Sequence, residues 1–235
     1  MKTHIMLLAM CAITNIAGAA SAQTNEPTAW LDDPATKARL LAASGKNDAV
    51  AIMAFEKLVA DRPGDYSLRT DLLVLLAKHK KLERALEVSA AAAADFPENS
   101  GVWFSRGKIL EMSDDATEAE KAYLKSVNLD KRNSMAWNNL ALLVEKRGDT
   151  DTAVACFSNA FTVSGGSNLS KFNLGRVLIL KNVDADKGVE LLEEVAASGG
   201  AFTAEAEAIL AAINAALEKR AAAQESEIEE EGGAI

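Results

Sequence analysis

Histidine, cysteine, proline and basic side chains are all scarce in this 235-residue chain, and each shortage closes off a class of chemistry. Lysine and arginine number 25 against 34 acidic residues, a net charge of −9, so no basic stripe exists to neutralise phosphates and a nucleic-acid partner is excluded. The two histidines, His4 near the start and His79 among lysines, cannot build a metal cluster or a histidine-based catalytic triad. No metal and no cofactor is therefore expected, and no catalytic constellation points to an enzyme. Of the two cysteines, Cys11 lies in the N-terminal apolar stretch, leaving Cys156 without an internal disulfide partner once that stretch is removed. Cys156 reads as a buried structural thiol. Runs of β-branched or aromatic residues with period two are absent, which leaves an all-α chain rich in alanine and leucine.

Lys2, an apolar stretch from Ile5 to about Gly18, and Ala20 and Ala22 flanking Ser21 have the layout of a cleavable export signal. Cleavage is expected after Ala22, which makes the mature chain periplasmic or secreted. The apolar run is short of the ~20 residues a spanning helix needs, so no integral membrane segment is expected in the mature chain. Met10 before Cys11 is too large for a lipidation site. Residues 23–33 are polar and contain Pro27, and read as a flexible lead-in.

The organising stretch is Asn133 to Gly166. Trp137, Leu140, Ala141 and Val144 form one apolar stripe at helical spacing; after a break at Gly148, Ala153, Phe157 and Ala160 form a second. This is a helical hairpin whose helices meet at the small residues Ala141 and Ala153. Shifting by 34 places Trp103 under Trp137, Gly107 under Ala141, Ala119 under Ala153 and Tyr123 under Phe157; further shifts add Ala85, then Ala51 and Phe55. Asp65, Asn99, Asn133 and Ser167 recur at the same interval, and all are residue types that cap helix N-termini. Forward of the index hairpin, Leu174 and Gly175 keep register, and one extra residue then moves Gly188, Leu192 and Val195 into the second-helix slots. Some units depart from the pattern: Arg39 and Leu73 stand where a small residue is expected, and Arg69 and Lys171 stand in the tryptophan slot.

An aromatic, a leucine followed by a small residue, then alanine, aromatic and alanine resembles the tetratricopeptide repeat. The resemblance implies a right-handed superhelical solenoid of about five hairpins, spanning roughly 34–65, 66–99, 100–133, 134–167 and 168–200. Residues 201–224, with Ile209, Ile213 and Leu217 four apart, read as a C-terminal capping helix. Residues 225–235, with five glutamates between Glu225 and Glu231, read as an acidic disordered tail. Asn182, Asp184, Asp186 and Glu193 have the 1, 3, 5, 12 spacing of a calcium loop, but the glycine is misplaced and the bland reading is a helix start.

The family resemblance further implies that the first helix of each repeat lines a concave groove. Its groove positions fall on Phe104, Ser105 and Lys108 in the third repeat, Asn138 and Asn139 in the fourth, and Phe172, Asn173 and Arg176 in the fifth. Asn139 and Asn173 share one repeat position, and asparagines there could form a ladder to the main chain of an extended peptide, since an amide both donates and accepts. Phe104 and Phe172 would supply apolar pockets, and Lys108 and Arg176 would meet a carboxylate. The residues needed to clamp a chaperone tail are missing at Thr70, Val74, Phe104 and Leu142. The expected function is a non-catalytic adaptor of a bacterial envelope, holding a protein or peptide partner during assembly of a pilus, secretion, outer-membrane or cytochrome c complex. The alternative is a substrate-recruiting or regulatory accessory of an envelope enzyme.

Overall fold

A computed structural model describes residues 32–45 and 48–232. The export signal and almost all of the lead-in lie outside the described residues. Every regular element among the described residues is an α-helix: α1 (Pro34–Ser44), α2 (Asp48–Asp61), α3 (Tyr66–Lys78), α4 (Leu82–Asp95), α5 (Ser100–Met112), α6 (Ala116–Leu129), α7 (Ser134–Lys146), α8 (Thr150–Ser164), α9 (Asn168–Leu180), α10 (Ala185–Ala197) and α11 (Thr203–Gly232). The chain divides into two units at Arg62 and Pro63. In the first, the α1/α2 hairpin buries Ala38, Ala51, Phe55 and Leu58, and Asp33 both caps α1 and accepts from Arg62 at 3.3 Å.

In the second unit, helices pack chiefly on their neighbours in sequence, which is the arrangement of a linear stack. The pairs α5/α6, α7/α8 and α9/α10 are the closest, whereas α3 and α4 touch less extensively. The residue where the two helices cross explains this. Gly107, Ala141 and Gly175 occupy that slot in the three tight hairpins, and Leu73 holds α3 off α4. The partner slot is alanine or glycine throughout: Ala85, Ala119 and Ala153 are completely buried, and Gly188 is buried in the fifth hairpin. A Cβ on Gly107 would stand 2.5 Å from the Tyr123 ring, and one on Gly188 would stand 2.8 Å from the Gly175 carbonyl oxygen.

The helix starts follow the cap series. Asp65, Asn99, Asn133 and Ser167 each accept a backbone N–H of the helix they precede. Asp115, Asp149 and Asp184 do the same for the second helices, so Asp184, at the third place of the calcium-loop spacing, serves as a helix cap. The turn inside each hairpin also repeats: Lys80, Asp114, Gly148 and Asn182 all take positive φ, between 52° and 90°.

Tryptophan at the fourth repeat position has a polar function as well as a packing one. Trp103 Nε1 donates to the Pro97 carbonyl at 2.7 Å and Trp137 Nε1 to the Lys131 carbonyl at 2.9 Å, each six residues back. Arg69, in the same slot of the second repeat, donates to the Pro63 carbonyl at 3.1 Å, again six residues back, and lies over the Phe96 ring. The arginine thus replaces the indole by its donor and its flat face.

The stack is closed at its C-terminal end by α11. Phe202, Ala206, Ile209 and Leu210 pack against Phe172, Ile179, Leu192 and Val195, covering the apolar face of the fifth hairpin. The helix runs to Gly232, eight residues past its expected end at Gln224 and through most of the segment expected to be disordered. Ala221 to Ala223 and the glutamates are good helix formers, and the first helix breaker after Thr203 is Gly232 itself.

Gly188→Ala is expected to lower the stability of the chain by about 1–3 kcal/mol in urea unfolding, because the added Cβ meets both Ile179 Cγ1 at 2.5 Å and the Gly175 carbonyl oxygen at 2.8 Å, and the backbone oxygen cannot step aside as a side chain can. Helix propensity alone predicts a gain of about 1 kcal/mol, so a stabilised variant would contradict the close crossing.

Candidate functional site

The inner face of the second unit is made by α3, α5, α7 and α9. Its first and second helices touch directly, α3 with α5. Further along, side chains tie α5, α6, α7 and α9 together. Asn173 Nδ2 donates to Asn138 Oδ1 at 2.7 Å, Asn138 Nδ2 to Asn139 Oδ1 at 3.5 Å, and Asn139 Nδ2 to the Tyr123 hydroxyl at 3.2 Å. Tyr123 in turn donates to Glu111 Oε2 at 2.8 Å. All four donors point the same way, so the relay runs from the fifth repeat to a carboxylate in the third, and each bond polarises the next. Tyr123 is fully buried, and burial first, then its bond to Glu111, pushes its ionisation far above the ordinary phenol range.

Beside the relay, Arg176 grips Glu145 with both nitrogens, at 2.8 and 2.6 Å. Both side chains are largely buried, with 21% and 14% of their surfaces exposed. A forked pair of this kind is strong and directional, and removing either partner would strand the other charge.

These contacts place the eight residues expected in the groove. Asn138 and Asn173 are buried and bonded to each other; Asn139 is half-buried and bonded at both ends of its amide. Of the two asparagines expected to form a peptide ladder, Asn139 has both its donor and its acceptor engaged within the chain, and Asn173 has its donor engaged by Asn138. Arg176 is engaged by Glu145. Phe172 stacks on Phe202 at the start of the capping segment, with ring centroids 5.1 Å apart and planes 18° apart, so it closes the end of the stack. Phe104 leans on Tyr123 at 6.0 Å, Ser105 is half-buried, and Lys108 Nζ sits 5.8 Å over the Phe104 ring.

What the inner face leaves to solvent is different. Met112, Met135 and Leu142 are 46%, 48% and 37% exposed, with Val74 further along, and Lys108 and Lys146 are exposed on the same two helices, α5 and α7. Methionine suits such a surface because its unbranched, polarisable chain adapts to many shapes. The residue that sequence reasoning missed is Tyr123. Its repeat position makes it the core equivalent of Phe157, but its hydroxyl is the hub of the relay, and a buried hydroxyl demands a partner.

Cys156 is buried on α8, and burial raises its thiol from the ordinary 9.0 to about 11.

Residues 122–155 match a family model described as tetratricopeptide repeat. A TPR repeat-containing protein of Dictyostelium discoideum is 26% identical over 187 residues, covering 76% of this chain and 66% of the relative. The human protein O-mannosyl-transferase TMTC3 is 27% identical over 106 residues, 45% of this chain and 12% of that protein. The chain thus spans less than two thirds of the length of these curated relatives. Among solved structures, YrrB, described as a TPR protein with an unusual peptide-binding site, superimposes with a TM-score of 0.53 at 17% identity, over 69% of this chain and 82% of that one.

Two expectations follow. Asn173→Ala should lower stability by about 1–3 kcal/mol in urea unfolding, since it leaves the Asn138 carbonyl buried without its donor; no loss would mean the amide pair is not formed in solution. The Cys156 thiol should resist alkylation in the native protein at pH 8. Because the folded thiol holds its proton to about 11 while the unfolded thiol releases it near 9.0, its contribution to stability is complete below pH 9 and declines as pH rises through this window. A Cys156→Ala variant whose stability declines equally across that window would contradict the assignment.

Proposed function

We propose that this chain, a tetratricopeptide-repeat array by its fold, is a non-catalytic interaction scaffold that works in a bacterial envelope and holds a peptide or partner subunit on its inner face while a larger complex assembles. One observation carries the reading: the inner face exposes Met112, Met135 and Leu142 beside Lys108 and Lys146, while the polar groups beneath are engaged with one another. A face built this way offers contact area and charge without having to break its own bonds. The peptide-binding site described for YrrB supports the use of such an array to hold polypeptide. The envelope setting rests on the sequence of residues 1–22.

A second reading has its own support. The similarity to a segment of a named transferase favours a recruiting or regulatory role beside an envelope enzyme, with the array choosing the substrate and the partner supplying the chemistry.

A photo-crosslinking residue placed at Leu142, or at the exposed Asn159 on the second helix α8 as a control, separates docking on the inner face from docking elsewhere. The expected result is capture from the periplasmic fraction at position 142, absent at position 159, by a chain whose N-terminus is Gln23. Whether the captured partner is an assembly component or an enzyme decides between the two readings. Capture only at position 159, or a chain confined to the cytoplasm with Met1 retained, would contradict the proposal.

A further inference from the structure

The long last helix and the exposed part of the inner face have matching chemistry. At 30 residues α11 is about 45 Å long, whereas α9, with 13 residues, is about 20 Å long. Only its first half is needed as a cap: Ala206, Ile209 and Leu210 cover the fifth hairpin, and every residue from Asn214 to Gln224 is exposed. Leu217 stands 59% exposed on this projecting half. By helical periodicity Ile213, Leu217 and Ala221 share one face, and the sequence from Glu225 to Glu231 adds five glutamates. The projecting half is therefore an acidic helix with a narrow apolar edge.

The inner face of the third and fourth repeats is its complement. Met112, Met135 and Leu142 form the exposed apolar part. Its carboxylates are occupied, Glu111 by the Tyr123 hydroxyl and Glu145 by Arg176. Lys108 and Lys146 are exposed, and among the described residues neither forms an ion pair. In a chain of net charge −9, the unpaired charges of this patch are cationic, which selects an acidic guest.

We propose that this patch takes the projecting half of α11 from a second copy of the chain, with the apolar edge around Leu217 on Met135 and Leu142 and the glutamates on Lys108 and Lys146. The contact is head-to-tail: groove and helix are different surfaces, so each copy keeps one of each free to bind again, and the chain grows until it closes into a ring or is capped by a partner. The inference rests on reading the inner face as a docking surface, and it names one occupant of that surface.

The test uses the full mature chain and two exposed-site variants, Leu142→Asp in the groove and Leu217→Asp on the helix, each checked for an unchanged helical spectrum. Analytical ultracentrifugation of the wild type should show concentration-dependent association that weakens as salt screens the charges. Each variant alone should associate at least tenfold more weakly. Mixed, the two should recover a 1:1 dimer that grows no further, because one retains the groove and the other the helix. A wild type that stays monomeric up to about 1 mM overturns self-docking, as does a Leu142→Asp variant that associates as well as wild type, the result of helix pairing with helix. Capture of another polypeptide by a crosslinker at Leu142 would survive either outcome, so failure of self-docking is distinguishable from failure of the docking face.

Discussion

The close crossing of two helices at a pair of small side chains is the constraint on which the rest of this molecule depends. Where Gly107 meets the ring of Tyr123, and where Gly175 meets Gly188 with no room for a Cβ on either, backbone packs on backbone or on an aromatic face. Dispersion over that contact has to offset the poor helix propensity of glycine, and it does so only if the helices remain in register. With register fixed inside each hairpin, the next hairpin has one way to stack, and first helices are brought side by side. The inner face, its amide relay and its exposed methionines all follow from that placement. Leu73 shows the opposite case: with a large side chain in the slot, α3 and α4 touch less extensively.

The relay adds a second level of order. Apolar packing between hairpins is tolerant of small slips, but a chain of directional hydrogen bonds from Asn173 through Asn138, Asn139 and Tyr123 to Glu111 is satisfied in one arrangement only. Together with the Arg176–Glu145 fork it ties three successive repeats along the face where a partner is proposed to bind. The consequence for function is that recognition passes to the side chains above the relay. Apolar contact and the charges of Lys108 and Lys146 remain for a guest, and a peptide that used the asparagines would have to replace bonds already made.

Much of the fold was legible in the sequence because its causes are local and recurrent. The 34-residue offset, the caps at Asp65, Asn99, Asn133 and Ser167, and the small pairs at Ala141 and Ala153 each state one geometric demand, and the helices obey them. The positive-φ turn leaves no signature in the sequence, since its four positions carry Lys80, Asp114, Gly148 and Asn182, types that share a backbone state but no composition. The extent of α11 is hidden because a run of glutamates reads equally as a solvated tail or as a helix, and only the absence of a breaker before Gly232 decides. The candidate site was legible in position but not in state. Sequence spacing put Asn139, Asn173 and Arg176 on one face, yet whether a polar group on that face awaits a partner or already has one depends on side chains from neighbouring repeats 16 to 35 residues away.

Side-chain amide hydrogen exchange in the free protein tests the central claim most directly, since it reports whether the inner-face asparagines are bonded to one another. The account predicts strong protection of the Asn173 and Asn138 amide protons relative to those of the exposed Asn128 and Asn159. Exchange of all four at the same unprotected rate would contradict it, and would return those amides to service as contacts for a guest chain.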